Sequence, residues 1–183
     1  MPLEIPRLKT ERLVLRDLRA ADATALFAHR ADAEATRYWS TPPWTEMSQA
    51  EAHLRKAREP AVETGWLQFG VERRADGALL GTCSLFDHHA DSRRAELGYF
   101  LGRPYWGQGF AHEAATAMIE HAFGPMNLNR IEADVDPRNV ASVRLLERLG
   151  FVREGLMRER WIVAGEVSDS LFYGLLATDW ATL

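Results

Sequence analysis

The sequence predicts an α+β domain, a mixed and mostly antiparallel sheet of about seven strands with helices on its faces. Three observations lead there. Strand-like runs at 66–73, 79–86 and 94–101 follow one another across short turns, as in an antiparallel meander. Two amphipathic helical stretches, one opening at Gly109 or Phe110 and one spanning 139–149, flank another alternating run at 129–135. Two last strands close the chain around the turn "AGE" at 164–166. With 183 residues and no Pro/Ser/Gly-rich linker, the chain reads as a single domain, 1–183.

In chain order, residues 11–18, "ERLVLRDL", set Leu13 and Leu15 against Arg12, Val14 and Arg16 and read as a first strand with one buried face. Asp22 stands where it can cap a helix carrying Ala25, Leu26 and His29 at helical spacing. Tyr38, Trp39, Pro42, Pro43 and Trp44 make an aromatic, proline-rich loop, followed at 46–59 by a polar-faced helix ending before Pro60. In the turn "ADG", Gly77 tolerates the positive φ of a tight hairpin. Ile131, Ala133 and Val135 alternate along the strand at 129–135. The helix at 139–149 buries Val143, Leu146 and Leu149 and stops at Gly150, a C′ glycine, with Phe151 placed for the hydrophobic contact of that motif.

The stretch 102–124, "GRPYWGQGFAHEAATAMIEHAFG", places Gly107 and Gly109 at the entrance of a helix whose apolar face is Ala111, Ala114, Ala115, Met118, Ile119 and Ala122. Glycine costs a helix about 1 kcal/mol relative to alanine, so a bare backbone has a purpose here. A strand leading through a glycine loop into a helix N-terminus gathers unpaired N–H groups and the positive end of the dipole, an arrangement that binds phosphate. A P-loop would need Lys-Ser/Thr where Phe110 and Ala111 follow Gly109, and a dinucleotide fingerprint would need glycine at His112. What remains is a pyrophosphate nest beside a strand end able to bond an extended amide-bearing chain, or a turn that merely needs glycine. Residues 134–151, "DVDPRNVASVRLLERLGF", add Asn139 and Ser142, three apart on one side of a helix start. Asn139 also suits a plain N-cap, with Ser142 an ordinary first-turn residue.

Together, "TERLVLRDL", "AELGYFLGRPYWGQGFAHEA" and "DPRNVASVRLLERLGFVREG" resemble the GNAT superfamily of acyl-CoA-dependent N-acyltransferases, within it the ribosomal-protein alanine and serine N-acetyltransferase branch. The likeness covers roughly Leu8 to Leu176. It implies the GNAT fold, with a splayed strand pair forming the acyl-CoA cleft and acetyl-CoA as co-substrate. The family motif is Gln or Arg, two residues, Gly, one residue, then Gly or Ala; here it falls on Trp106, Gly107, Gln108, Gly109, Phe110 and Ala111, with tryptophan replacing Gln or Arg. The resemblance further implies that Phe100 and Leu101 bond the pantetheine through their main chain, that Asn139 faces it, and that Ser142 faces the sulfur. Tyr38, Trp39 and Trp44 would wall the acceptor cleft, or else pack on the sheet.

Acyl transfer from a thioester to an amine needs a neutral amine, a stabilised carbonyl oxygen and a proton for the departing thiolate. Glu96, five residues before Leu101 on the fourth strand, is the candidate base; alternatively it is a solvated or Arg-paired strand carboxylate. Ser142 is the candidate donor to the thiolate, a role water could also fill. Glu113 complements the helix dipole and Tyr105 packs. Cys83, the sole cysteine, excludes an internal disulfide and reads as a buried hydrophobe, which with the resemblance favours direct transfer in a ternary complex. His88 and His89 point to opposite faces of a strand, so no metal is implied. The alternative to an enzyme is a non-catalytic acyl-CoA-binding module.

The composition, 46% hydrophobic and 26% charged with a net charge of −4, is that of an ordinary soluble protein. No block of arginines suggests nucleic acid, no apolar run reaches a membrane span, and prolines and charges at the start speak against a signal peptide. The expectation is a cytoplasmic monomer or homodimer acting on an amine or a protein N-terminus.

Overall fold

The computed structural model describes residues 6–57, 59 and 65–182. Eight strands form one sheet: β1 (Leu8–Lys9), β2 (Leu13–Arg16), β3 (Leu67–Arg73), β4 (Leu79–His89), β5 (Arg94–Leu101), β6 (Arg130–Val135), β7 (Val152–Val163) and β8 (Glu166–Leu176). Their spatial order is β1-β2-β3-β4-β5-β6-β8-β7. The helices are α1 (Ala23–Arg30), α2 (Met47–Lys56), α3 (Phe110–Phe123), α4 (Val140–Arg148) and the short α5 (Ala177–Trp180). The sheet has one strand more than expected, because two residues at Leu8–Lys9 pair with β2 and are too few to show a period. Pro60, placed at the expected end of α2, lies outside the described residues; the helix itself ends at Lys56.

All neighbours are antiparallel except β5 and β6, which pair in parallel over only Arg94–Arg130, Ala95–Ile131 and Glu96–Glu132. Beyond Glu96 the strands part, although β5 continues to Leu101 and β6 to Val135. The principal core lies on one face, where Leu13, Leu15, Phe69, Val71, Cys83, Leu85 and Leu97 meet Ala115, Met118 and Ile119 of α3 and Leu145 and Leu146 of α4. On the other face a smaller cluster joins Leu18 and Leu79 to Leu26 of α1 and Leu54 of α2.

Turn chemistry explains the connections. Gly77 holds φ +73, and Ala164 and Gly165 both hold positive φ (+49 and +85) in the two-residue hairpin between β7 and β8, whose twist suits the strands. At the end of α4 Gly150 holds φ +83, with the Gly150 amide on the Glu147 carbonyl (3.1 Å) and the Phe151 amide on that of Leu146 (3.0 Å), both bonds of a Schellman motif.

Two local expectations are corrected. β2 is buried on both faces, because Arg16, only 3% exposed, turns inward to Asp22 (2.8 and 2.9 Å) and Glu72 (2.5 Å). Asp22 holds the N-cap position of α1 as expected, but its side chain makes no cap bond there. Its carboxylate accepts from Arg16 and from the Arg19 amide (2.6 Å). Burial alone would raise its pKa, and these bonds more than offset that, holding the carboxyl below its usual range. Removing one partner of a buried pair is strongly destabilising. Asp22→Ala is therefore expected to cost about 3 kcal/mol, the low end of the range because Glu72 remains, as measured by urea unfolding. A loss below about 1 kcal/mol, within the range of an exposed pair, would show the pair to be unimportant.

Candidate active site

The opening between β5 and β6 leads into a cavity of about 500 Å3 that spans the sheet. Strand alternation decides what reaches it. Along β5, Ala95, Leu97, Tyr99 and Leu101 point to the α3 and α4 face, while Glu96, Gly98 and Phe100 point to the face of α1 and α2. The Gly102 amide bonds the Leu80 carbonyl (2.8 Å), so the ladder aims main-chain groups of even-numbered residues at β4 and those of odd-numbered residues at β6. Tyr99 and Leu101 thus present their peptide groups to the gap, whereas those of Phe100 are taken up by β4. This departs from the pairing of Phe100 with Leu101 suggested by family likeness.

Glu96 lies on the cavity floor. Burial, then the neighbouring Asp134 carboxylate, push its carboxyl up to about 7, against a smaller opposing pull from Arg160. No hydrogen bond holds it among the described residues. Asp134 on β6 is itself raised by burial, in part offset by its bond from Arg160 Nε (2.7 Å). Beside Glu96 the floor is bare at Gly98, where a Cβ would stand 2.9 Å from the Phe86 ring.

Across the gap, α4 supplies Asn139 and Ser142 to the same cavity. Asn139 is indeed the N-cap, its Oδ1 accepting from the Ser142 amide (3.2 Å). The Ser142 hydroxyl shares a 2.5 Å hydrogen bond with the Tyr99 phenol. Burial raises Tyr99 to about 12, an effect that the Ser142 bond only moderates, so the phenol stays protonated at neutral pH.

The glycine loop is a separate locus at the end of β5. Gly107 and Gly109 both sit in the left-handed region, at φ +72 and +80, and Gly109 is the N-cap of α3 with no side-chain cap bond. Arg12 fastens this loop: it donates to the Gln108 carbonyl (2.9 Å) and to Glu113 (2.7 Å) and stacks 4.5 Å above the Phe110 ring. Glu113 therefore does more than face the dipole. The indole of Trp106, otherwise 45% exposed, donates to the Leu101 carbonyl (2.8 Å), and the Gln108 amide bonds the Pro104 carbonyl (2.9 Å). Phe110 is buried, and Ala111 packs against the core.

On the α1 and α2 face, Tyr38 and Trp39 line the cavity, while Trp44 lies behind Arg30. At the rim the charges are matched among themselves, Glu166 accepting from Arg37 (2.9 Å) and Arg138 (2.6 Å), and Arg138 reaching Asp136. Sequence reasoning passed over Tyr99, Asp134 and Arg30. Tyr99 could have been found from its alternation with Leu97 and Leu101, and Asp134 from its place opposite Ala133. Arg30 carries no such local signal. Among the described residues no group of three or more His, Cys, Asp or Glu could hold a metal ion, and no helix is long and apolar enough to cross a membrane.

Residues 12–152 match the family model of the acetyltransferase (GNAT) domain. The chain belongs to the GNAT family. Members of this family use acetyl-CoA, and the protein is an N-acetyltransferase. This GNAT chain is 37% identical over 174 residues to the uncharacterized N-acetyltransferase p20 of Bacillus licheniformis, covering 95% of itself and 98% of that protein. It is 30% identical over 183 residues to the ribosomal protein uS5-alanine N-acetyltransferase of Escherichia coli (95% and 92% covered). A crystal structure of a GNAT acetyltransferase from Bacillus anthracis superposes with a TM-score of 0.85 at 25% identity, over 94% of this chain and 99% of that one. A spermidine N-acetyltransferase from Vibrio cholerae, with a TM-score of 0.83 and 24% identity over 94% and 99%, shares the GNAT fold.

Proposed function

We propose that the protein moves the acetyl group of acetyl-CoA directly to a primary amine, of a peptide or protein N-terminus or a small molecule, within a ternary complex. The observation that carries this reading is Glu96, a carboxyl with a pKa of about 7 on the floor of a cavity that opens where β5 and β6 part. A base is most effective when its pKa lies near the working pH.

The residues fit acetyl-CoA in three places. The left-handed glycines and the uncapped start of α3 leave amides free to meet a diphosphate, so Trp106, Gly107, Gln108, Gly109, Phe110 and Ala111 form its cradle, with Arg12 bracing it from behind. Tyr99 and Leu101 offer peptide groups to the pantetheine, the Leu101 carbonyl being already engaged by Trp106. Asn139 stands across from them. Glu96 takes a proton from the incoming ammonium, and the freed amine attacks the thioester carbonyl. As the tetrahedral intermediate collapses, the proton that the nitrogen sheds goes to the departing sulfur through the Ser142 hydroxyl, which the Tyr99 phenol orients and which ends, like the phenol, protonated as it began. Cys83 takes no part, being fully buried with its thiol raised to about 12 by burial.

A thermal-shift titration with acetyl-CoA, CoA, ATP and NAD tests the cofactor half. At about 100 times its Kd, a ligand stabilises the fold by about 2.7 kcal/mol, and only the CoA species are expected to do so. Mass-detected acetylation of an amine and peptide panel tests the other half. Stabilisation by ATP or NAD in place of CoA, or tight CoA binding with no acetylated product, would overturn the reading.

A further inference from the structure

Arg30, at the end of α1, contrasts with the other buried arginine. Arg16 is matched by two carboxylates, whereas Arg30, only 9% exposed, has no ion pair among the described residues, and its Nη1 is buried without a hydrogen-bond partner. Burial is the sole influence on its pKa, lowering it to about 10, so it remains a cation at neutral pH. Its guanidinium carbon lies 4.0 Å from the ring centre of Trp39, 5.0 Å from that of Phe100 and 5.2 Å from that of Trp44. Aromatic faces stabilise a desolvated cation by about 2 kcal/mol but accept little from its N–H fork, which is shaped for a carboxylate. His53 offers no anion. It bonds Gln68 (2.7 Å), and burial first, then Arg30 and Lys56, lower its pKa.

Arg30 and Glu96 line one cavity, and Phe100, against which Arg30 lies, is four residues along β5 from Glu96 on the same face. Four strand residues span roughly 13 Å. A cation without a counter-ion at one end and a base at the other are complementary to a molecule with an amine and an anion held apart.

We propose that Arg30 binds a carboxylate on the acceptor, making the preferred acceptor a short peptide or peptide-like amine with a carboxylate about two to three residues from its amino group. A polyamine would place a second cation against Arg30. This inference rests on the reading of Glu96 as the amine-proximal base.

Its test compares Ala-Ala-Ala with its C-terminal amide, the amide of Ala-Ala-Glu, and spermidine, in wild type and in Arg30→Met. Methionine keeps the apolar packing and removes the unpaired buried charge, so the variant is expected to fold. Wild type is expected to show a KM about tenfold or more lower for the free tripeptide than for its amide, and Arg30→Met to erase that difference with acetyl-CoA affinity unchanged. Recovery with the amide of Ala-Ala-Glu would assign the anion to an acidic side chain, and no recovery to a free C-terminus. Equal KM for acid and amide in wild type, a preference for spermidine, or an equal loss on all acceptors in Arg30→Met would overturn the proposal. If no acceptor on this panel is acetylated, calorimetry on the CoA-bound protein decides: no preference for Ala-Ala-Ala over its amide overturns the carboxylate site. Acetyl-CoA affinity, measured separately, reports on the acetyltransferase reading itself.

Discussion

Replacing Glu96 by glutamine is expected to lower the rate at saturating substrates by roughly 10²–10⁴-fold, the usual contribution of a general base, while leaving acetyl-CoA affinity unchanged. The wild-type rate is expected to rise with pH through about 7 as the carboxyl loses its proton, and the variant to lose that limb. Stability runs the other way. The folded pKa, about 7, lies above the 4.5 usual for a glutamate carboxyl, so between these values the folded state binds more protons than the unfolded one. Stability contributed by the protonated form is present below about 4.5 and lost as pH rises to about 7, a cost on the order of 3 kcal/mol thereafter. Glu96→Gln should therefore melt higher than wild type well above pH 7 and close to it in acid. A slow variant with a raised melting temperature marks a carboxylate kept for chemistry. Unchanged rate and pH profile would remove Glu96 as the base, and a lowered melting temperature would make it a structural group.

Gly109→Val is expected to weaken acetyl-CoA binding about tenfold or more in a folded protein. A Cβ at Gly109 would stand 3.3 Å from Arg12 Nη2, the end of a side chain able to shift, so crowding is the lesser problem. The greater one is φ +80, which costs an L-residue about 1–2 kcal/mol and a β-branched one most. Valine escapes that cost by rotating the peptide groups that would face the diphosphate, and in moving it disturbs the Arg12 bonds to Gln108 and Glu113. Gly107→Ala is the companion, since its added Cβ would meet nothing within 4 Å and only the φ +72 strain applies. Unchanged affinity in a folded Gly109→Val would end the assignment of a diphosphate to this loop.

The parts of the fold that were legible in the sequence are those governed by near neighbours. Gly150 followed by Phe151, Asp76 followed by Gly77, and the apolar stripe from Ala111 to Ala122 each act within one turn, one hairpin or one helix, and each appears where its pattern placed it. Arg16 misled because its inward turn depends on Glu72, 56 residues away, and on Asp22, whose carboxylate was thereby diverted from α1. The candidate site divides in the same way. Glu96, Asn139, Ser142 and the glycine loop stand in recognisable runs, but what raises Glu96 is its burial and then the Asp134 carboxylate on β6, 38 residues away in sequence and opposed by Arg160 on β7, and the surroundings of Arg30 come from Trp39, Trp44 and Phe100. Whether Phe100 or Tyr99 faces the gap turns on a ladder parity that one bond, from Gly102 to Leu80, reveals.

The seclusion of Cys83 makes the protein invisible to thiol reagents for as long as β4 stays in its sheet. A chromogenic disulfide added to a working reaction would register only the CoA thiol set free at each turnover, with no background from the catalyst even at high enzyme concentration. Without substrate, the same reagent becomes a clock: colour appears only when the central strands separate, at one equivalent per chain. A single cuvette thus reads turnover in one mode and the opening of the fold in the other.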